Sequence, residues 1–289
     1  MQSAQAFLLE DGKRLHLQHG PIDLIVEVFG GDRRAAYGRA AQRFETVLEE
    51  LVAELDVLRQ SAHPETQLTG SVARRMQAAV LPLRGQFITP MAAVAGSVAD
   101  EILSWLCMDA DHQKAYVNNG GDVAFHLGTG QTIEAGIAAA AGGRVTITHD
   151  MPWRGVATSG WRGRSHSLGI ADSVTVVAHS AAAADAAATI IANAVDLPGS
   201  PRIERTPARQ LAPDSDLGDS LVTVAVDALS PDQIRVALEG GLTCATTLLE
   251  NGLIGGAVLE LQGMVELIGS FPKLSSRLSY NAKLESLHA

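Results

Sequence analysis

The sequence predicts an α+β fold with an antiparallel sheet, arranged as two related halves. Two observations lead there. Strand-like segments come in hairpin-like pairs on both sides of strongly helical stretches. A helix followed by Asn118-Asn119-Gly120-Gly121-Asp122-Val123 is echoed, weakly, by a helix followed by Leu253-Ile254-Gly255-Gly256-Ala257-Val258. Alternating strands and helices of these lengths also fit a parallel doubly wound sheet, and the paired strands favour the antiparallel alternative. The 289 residues suffice for one large domain or two small ones. At 46% hydrophobic and 4% aromatic, the core must be close-packed through small side chains.

Element by element, "PIDLIVEVFG" (21–30) reads as a buried strand, preceded by an Asp11-Gly12 turn. "RFETVLEELVAELDVLRQ" (43–60) places Val47, Leu48, Leu51, Val52, Leu55 and Leu58 at helical spacing. "MAAVAGSVADEILSWLCM" (91–108) is a second helix, with Pro90 just before it. "YVNNGGDVAF" (116–125) follows as strand, loop, strand, and "GGRVTIT" (142–148) as a further strand. β-Branched "DSVTVVAH" (172–179) runs into the Ala-rich helix "SAAAADAAATIIANAV" (180–195), with Ser180 as N-cap. Residues 198–220, with four prolines and no periodicity, read as a long loop or lid, or as a linker. "LVTVAVDAL" (221–229) is a strand, 230–252 a helix opened by Ser-Pro, and 254–269 a hairpin.

A net charge of -10 argues against a nucleic-acid backbone or an anionic membrane surface as partner. Cys107 and Cys244 are far apart and form no metal or redox spacing. The N-terminal stretch reads as neither signal nor lipid anchor, and no run of about 18 apolar residues occurs. These features predict a cytoplasmic protein.

Three stretches carry candidate chemistry. In "NNGGD", two glycines release the backbone and let a ligand approach it, while asparagine and aspartate offer donors and acceptors. Asn-Gly is also a strong hairpin signal, so a plain turn is the competing reading. Asp185 and Thr189, four apart on a helix and set among alanines, form a half-site of oxygen donors suited to Mg²⁺. Alternatively, Asp185 complements the helix N-terminus and Thr189 bonds back to a carbonyl. "ATSGWRGRSHSLG" (157–169) combines glycines, hydroxyls, two arginines and His166, which suits phosphate or a solvated loop. Neither a Walker motif nor a nucleophile elbow is present, and the histidines show no zinc pattern.

In that order, "VNNGGDVAF", "GVATSGW" and "DSVTVVAHSAAAADAAAT" resemble the ApbE-like family, whose best-known members are Mg²⁺-dependent FAD:protein FMN transferases. "AGSVADEIL" (95–103) is similar to that family's lysine-glycine helix, with Gly96 and Asp100 at the matching spacing. The motifs span roughly residues 85 to 195. With "FITPMAAVAGSVADEIL" and "GLIGGAVLELQG" they point to an uncharacterised cytoplasmic branch. The resemblance implies one domain over 1–289 with a duplicated T-fold-like architecture and a ligand cleft between the halves. It implies FAD and Mg²⁺ as cofactors, with Asp185 and Thr189 as metal or former-metal ligands and a main-chain carbonyl near Val94 completing the site. Asn118, Asn119, Gly120, Gly121, Asp122, Thr158, Ser159 and Gly160 would line the nucleotide pocket, which favours the ligand-facing reading of "NNGGD" over the turn.

Two departures separate this chain from the transferases. The family lysine is Ala95 here, and residues 161–171 replace a longer segment carrying a His-x-x-Asp-Pro-x-Thr-Gly motif. No catalytic residue is assigned. The expected ligand is a small molecule. Three functions stay open: a Mg²⁺-dependent flavin transferase or FAD-splitting enzyme, an enzyme on the same scaffold with a different substrate, and a non-catalytic flavin or nucleotide binder. Small-residue surfaces would suit a homodimer.

Overall fold

A computed structural model describes residues 3–109, 111–137, 142–269 and 274–275. Its frame is a nine-stranded sheet in the order β1-β2-β3-β4-β5-β8-β9-β12-β13. The first strands are β1 (Gln5–Leu8), β2 (Leu15–His19) and β3 (Ile22–Phe29). Helices α1 (Arg33–Ala53), α2 (Leu55–Leu58), α3 (Ser71–Val80) and α4 (Val94–Leu106) follow, then β4 (Lys114–Asn119) and β5 (Asp122–Leu127). After the small pair β6 (Thr132–Gly136) and β7 (Arg144–Thr148), the sheet resumes with β8 (Gly155–Ser159) and β9 (Ser173–Ala178). Helix α5 (Ala181–Ala194) leads to β10 (Ile203–Pro207), α6 (Ala208–Leu211) and β11 (Leu221–Val226). Helix α7 (Pro231–Glu250) returns the chain to β12 (Ile254–Leu261) and β13 (Met264–Gly269).

Every neighbouring pair in the large sheet is antiparallel. The α+β expectation holds, and the doubly wound alternative does not. A strand pair, helices and a second strand pair occur twice along the chain, each time in sequential sheet order, and β5–β8 joins the two sets.

Alternation along each strand sends side chains to two different cores. Leu24, Val26, Val117 and Ala124 pack under α1, α3 and α4, while Val174, Val176 and Leu259 pack under α5 and α7. On the opposite face Phe125, Val156 and Val177 meet Val145 and Ile147 of the small sheet. Alanine dominates the buried side of α5, so this helix sits close against its neighbours.

Three expectations need correction. Residues 198–220 are not a bare loop, because they hold β10 and α6, and β10 pairs with β11. The predicted helix over 43–60 starts earlier, at N-cap Asp32, and breaks at Glu54; Val52 is exposed. The glycine echo falls at non-equivalent places: Gly120-Gly121 lies between two strands, whereas Gly255-Gly256 opens β12 beside a register shift. Gly255 is required there by the indole of Trp153, which a Cβ would overlap.

Candidate functional site

The site lies where the two strand sets meet, on the helix-covered face of the sheet. "NNGGD" is a two-residue hairpin: Asn119 pairs with Asp122, and Gly120 and Gly121 both have positive φ (63° and 116°). Two consecutive positive φ values are what a tight hairpin turn demands. The turn reading is therefore correct as geometry, and the open loop is not. Asn118 is spent on this turn, its Oδ1 accepting the Gly121 N–H at 2.8 Å.

The hairpin nonetheless delivers two side chains to one place. Asn119 is buried and donates its amide to the Ala95 carbonyl oxygen at 3.0 Å, tying the strand end to α4. Asp122, 9% exposed, accepts the Thr158 main-chain N–H at 3.2 Å. The Thr158 hydroxyl bonds Thr175 at 2.9 Å. Thr158 thus reaches Asp122 through its backbone. Ser159 ends β8 half-buried, and a Cβ at Gly160 would overlap the carbonyls of Ala171 and Asp172. Gly160 is a packing glycine.

Asp185 and Thr189 project from α5, one turn apart and half-buried. Asp185 Oδ2 accepts the Gly96 N–H at 3.0 Å. The N-terminus of α5 is served by other groups: Ser180 caps Ala183, and Asp100 accepts from Ala181 at 3.1 Å and Ala182 at 2.9 Å. Asp185 is therefore not the complement of its own helix terminus. The Thr189 hydroxyl makes no hydrogen bond among the described residues, so the back-bonded alternative does not hold either. Asp100 is the site residue whose role the sequence did not reveal, although its spacing from Gly96 marked it. Val94 plays no part in these contacts, and the carbonyl engaged at this turn belongs to Ala95.

Electrostatically, the centre holds more acid than it can ionise comfortably. Burial pushes the Asp122 carboxyl up to about 7, against the opposing pull of the Thr158 N–H and the Arg164 charge. Burial, then the nearby Asp122, pushes Asp185 well above the usual carboxylate range, despite N–H groups of Gly96 and Ala95. Burial also raises Asp100, although two N–H groups oppose it. A divalent cation between Asp122 and Asp185 would relieve this crowding, and the free Thr189 hydroxyl adds an oxygen donor on the same helix face. No group of three or more His, Cys, Asp or Glu among the described residues is arranged to hold a metal by itself. Two carboxylates with vacant positions left for phosphate or water is the way Mg²⁺ is usually held.

A separate groove of about 710 Å³, lined by Arg43, Glu50, Ser71, Arg74 and Glu101, lies between α1, α3 and α4. Its ions already satisfy one another, Arg43 bonding Glu101 at 2.8 Å and Glu50 at 2.7 Å. The acid-rich centre is the better candidate because its charges are not balanced.

A family model described as AbpE bacteria matches residues 6–267. The chain belongs to that ApbE-like family. A UPF0280 protein of Methanopyrus kandleri is 31% identical over 59% of this chain and 69% of its own length. One from Archaeoglobus fulgidus is 32% identical over 54% of this chain, which spans 62% of that relative. A third, from Methanothermobacter thermautotrophicus, is 40% identical over 38% of this chain and 44% of its own length. Among solved structures, a mutant of the flavin transferase ApbE from Vibrio cholerae aligns with 89% of this chain and 97% of its own. That alignment has a TM-score of 0.48 and 12% identity. The apo flavinyl transferase ApbE of Pseudomonas stutzeri aligns with a TM-score of 0.45, 13% identity, and coverage of 93% and 96%. No helix among the described residues is long and apolar enough to cross a membrane.

Proposed function

We infer that this ApbE-like protein binds FAD or a related nucleotide as its Mg²⁺ complex, in the cleft between the two strand sets, and transfers or splits it. The observation that carries the reading is the Asp122–Asp185 pair: a buried and a half-buried carboxylate, each raised, with the uncommitted Thr189 hydroxyl one turn from Asp185. When bound, the metal would neutralise charge on the pyrophosphate. The chain's own residues orient the site. Gly96 N–H fixes Asp185, Asn119 fixes the Ala95 carbonyl, and Asp122 holds a proton near neutral pH. The repeated order of strand pair, helices and strand pair supports a duplicated T-fold-like origin in one domain. Free Cys107 and Cys244 accord with a reducing, cytoplasmic setting.

A second reading is favoured by Ala95, which offers no cation where the transferases carry lysine: the same scaffold acting on another small molecule, or binding flavin without turnover. The test is FAD fluorescence with and without Mg²⁺, followed by chromatography. Metal-dependent binding with AMP released, both lost in Asp185→Asn, supports transfer or splitting. Tight binding with FAD intact supports a binder. No binding at millimolar FAD removes flavin as the ligand.

A further inference from the structure

We propose that Arg164 is the anion-recognition residue of this site, gripping a phosphate of a ligand whose metal complex rests on Asp122 and Asp185. The proposal deepens the nucleotide reading above and rests on it for the choice of ligand.

The arginines around the centre are used in different ways. Arg162 donates through Nε to Asp172 at 2.6 Å and lies over the Trp161 ring at 4.6 Å. The same carboxylate accepts the Trp161 indole N–H and the Gln262 main-chain N–H, so Arg162 belongs to a structural pin. Arg154 is consumed by the carbonyls of Met151, Trp153 and His149. Arg205 is held by Leu168 and Asp196. Arg164, in contrast, makes no hydrogen bond and no ion pair among the described residues.

Its position is nevertheless defined. The loop between β8 and β9 is anchored on both sides of it: Trp161 N–H donates to the Ala171 carbonyl at 3.0 Å, and Leu168 N–H to Asn193 Oδ1 at 3.0 Å. From that loop the guanidinium lies against the hairpin tip, occupying the space a Cβ on Gly120 would need. Gly120 is thus doubly constrained, by its positive φ and by Arg164. Gly120 stands between Asn119 and Asp122, and the Arg164 charge reaches Asp122.

The chemistry narrows the ligand class. A bare phosphate is tolerated beside Asp122 and Asp185 only while both carboxyls keep their protons, and it is repelled once either ionises. A phosphate carried with a divalent cation presents positive charge to the carboxylates and leaves oxygens for a guanidinium fork on the other side. The favoured ligand is therefore a phosphate or pyrophosphate ester in its metal complex. This cation comes from the loop after β8, whereas position 95 on α4 has none to offer.

Inorganic pyrophosphate, titrated calorimetrically into the full chain with and without Mg²⁺, tests this independently of flavin. Wild type is expected to bind only with Mg²⁺, and Arg164→Gln to bind about tenfold more weakly, the loss of one or two charged hydrogen bonds. Arg164→Lys should fall between them, and Arg162→Gln should match wild type. Arg164 is exposed and unbonded, so Arg164→Gln should melt where wild type does. Gly120→Ala, which displaces the guanidinium, gives a second route to the same loss. Arg164-dependent pyrophosphate binding without flavin binding upholds the proposal and removes the flavin reading. FAD and pyrophosphate binding that are unchanged in Arg164→Gln overturn the proposal and leave the flavin reading standing. If wild type binds neither, both are overturned.

Discussion

Asp185 on α5 accepts the main-chain N–H of Gly96 on α4 at 3.0 Å, so the acid at the centre of the site is also a rivet between two helices. That dual use separates what Asp185→Asn and Asp185→Leu should do. Asparagine can still accept the Gly96 N–H, so Asp185→Asn should fold and melt no lower than wild type near neutral pH. Leucine leaves a part-buried N–H unpaired, a loss of about 1–3 kcal/mol. Thermal melts of the two variants distinguish the roles.

Asp122 should impose a pH dependence on stability. Its folded value of about 7 lies above the ordinary aspartate value, so the folded state binds the extra proton. The stabilisation is complete below about pH 4, where both states are protonated. It is lost as pH rises toward and through 7. Asp122→Asn should flatten that decline, and its melting temperature should exceed wild type at pH 8 by about 2 °C or more. A wild-type profile that rises between pH 5 and 8, with Asp122→Asn parallel to it, would count against a raised Asp122.

The close crossing of α4 and α5 depends on the absence of a side chain at Gly96, where a Cβ would overlap the Ala181 carbonyl. Gly96→Ala should cost about 1–3 kcal/mol by overpacking, even though alanine is the better helix former. Denaturant unfolding measures it. Because the Gly96 N–H also holds Asp185, metal binding should weaken in parallel.

Ser180 caps α5 through the Ala183 N–H at 3.1 Å. Ser180→Ala should lower stability by about 1 kcal/mol. Asp100 holds the N–H groups of Ala181 and Ala182 from α4, so Asp100→Ala should cost more, through buried donors left without partners. Urea unfolding of the two variants orders these costs.

Much of this was legible in the sequence because local chemistry and tertiary demand coincide. Ser180 reads as an N-cap and is one, and Ser230 opens α7 with a capping box to Gln233. Asp185 and Thr189 share a helix face by spacing alone. Other features were not legible. The Asn119 amide meets the Ala95 carbonyl over 24 residues of chain, and Asp122 meets Thr158 over 36; no local pattern encodes such pairings. Strand β1, fully exposed, has no alternation to announce it. Strand β10 hides in a proline-rich stretch, because its pairing with β11 alone makes it a strand. Arg162 and Arg164 look alike in sequence, and they diverge because Asp172 lies beside one and Gly120 beside the other.

The proposed function turns on a cation site formed by Asp122 and Asp185 and completed by the Thr189 hydroxyl. Manganese binding to wild type, Asp185→Asn and Thr189→Val, titrated at pH 6 and pH 8 with the released protons counted, tests it most directly. One ion per chain is expected, bound more tightly at pH 8 with protons released, abolished by Asp185→Asn and weakened about tenfold or more by Thr189→Val. No binding to wild type, or equal binding to all three proteins, would contradict it.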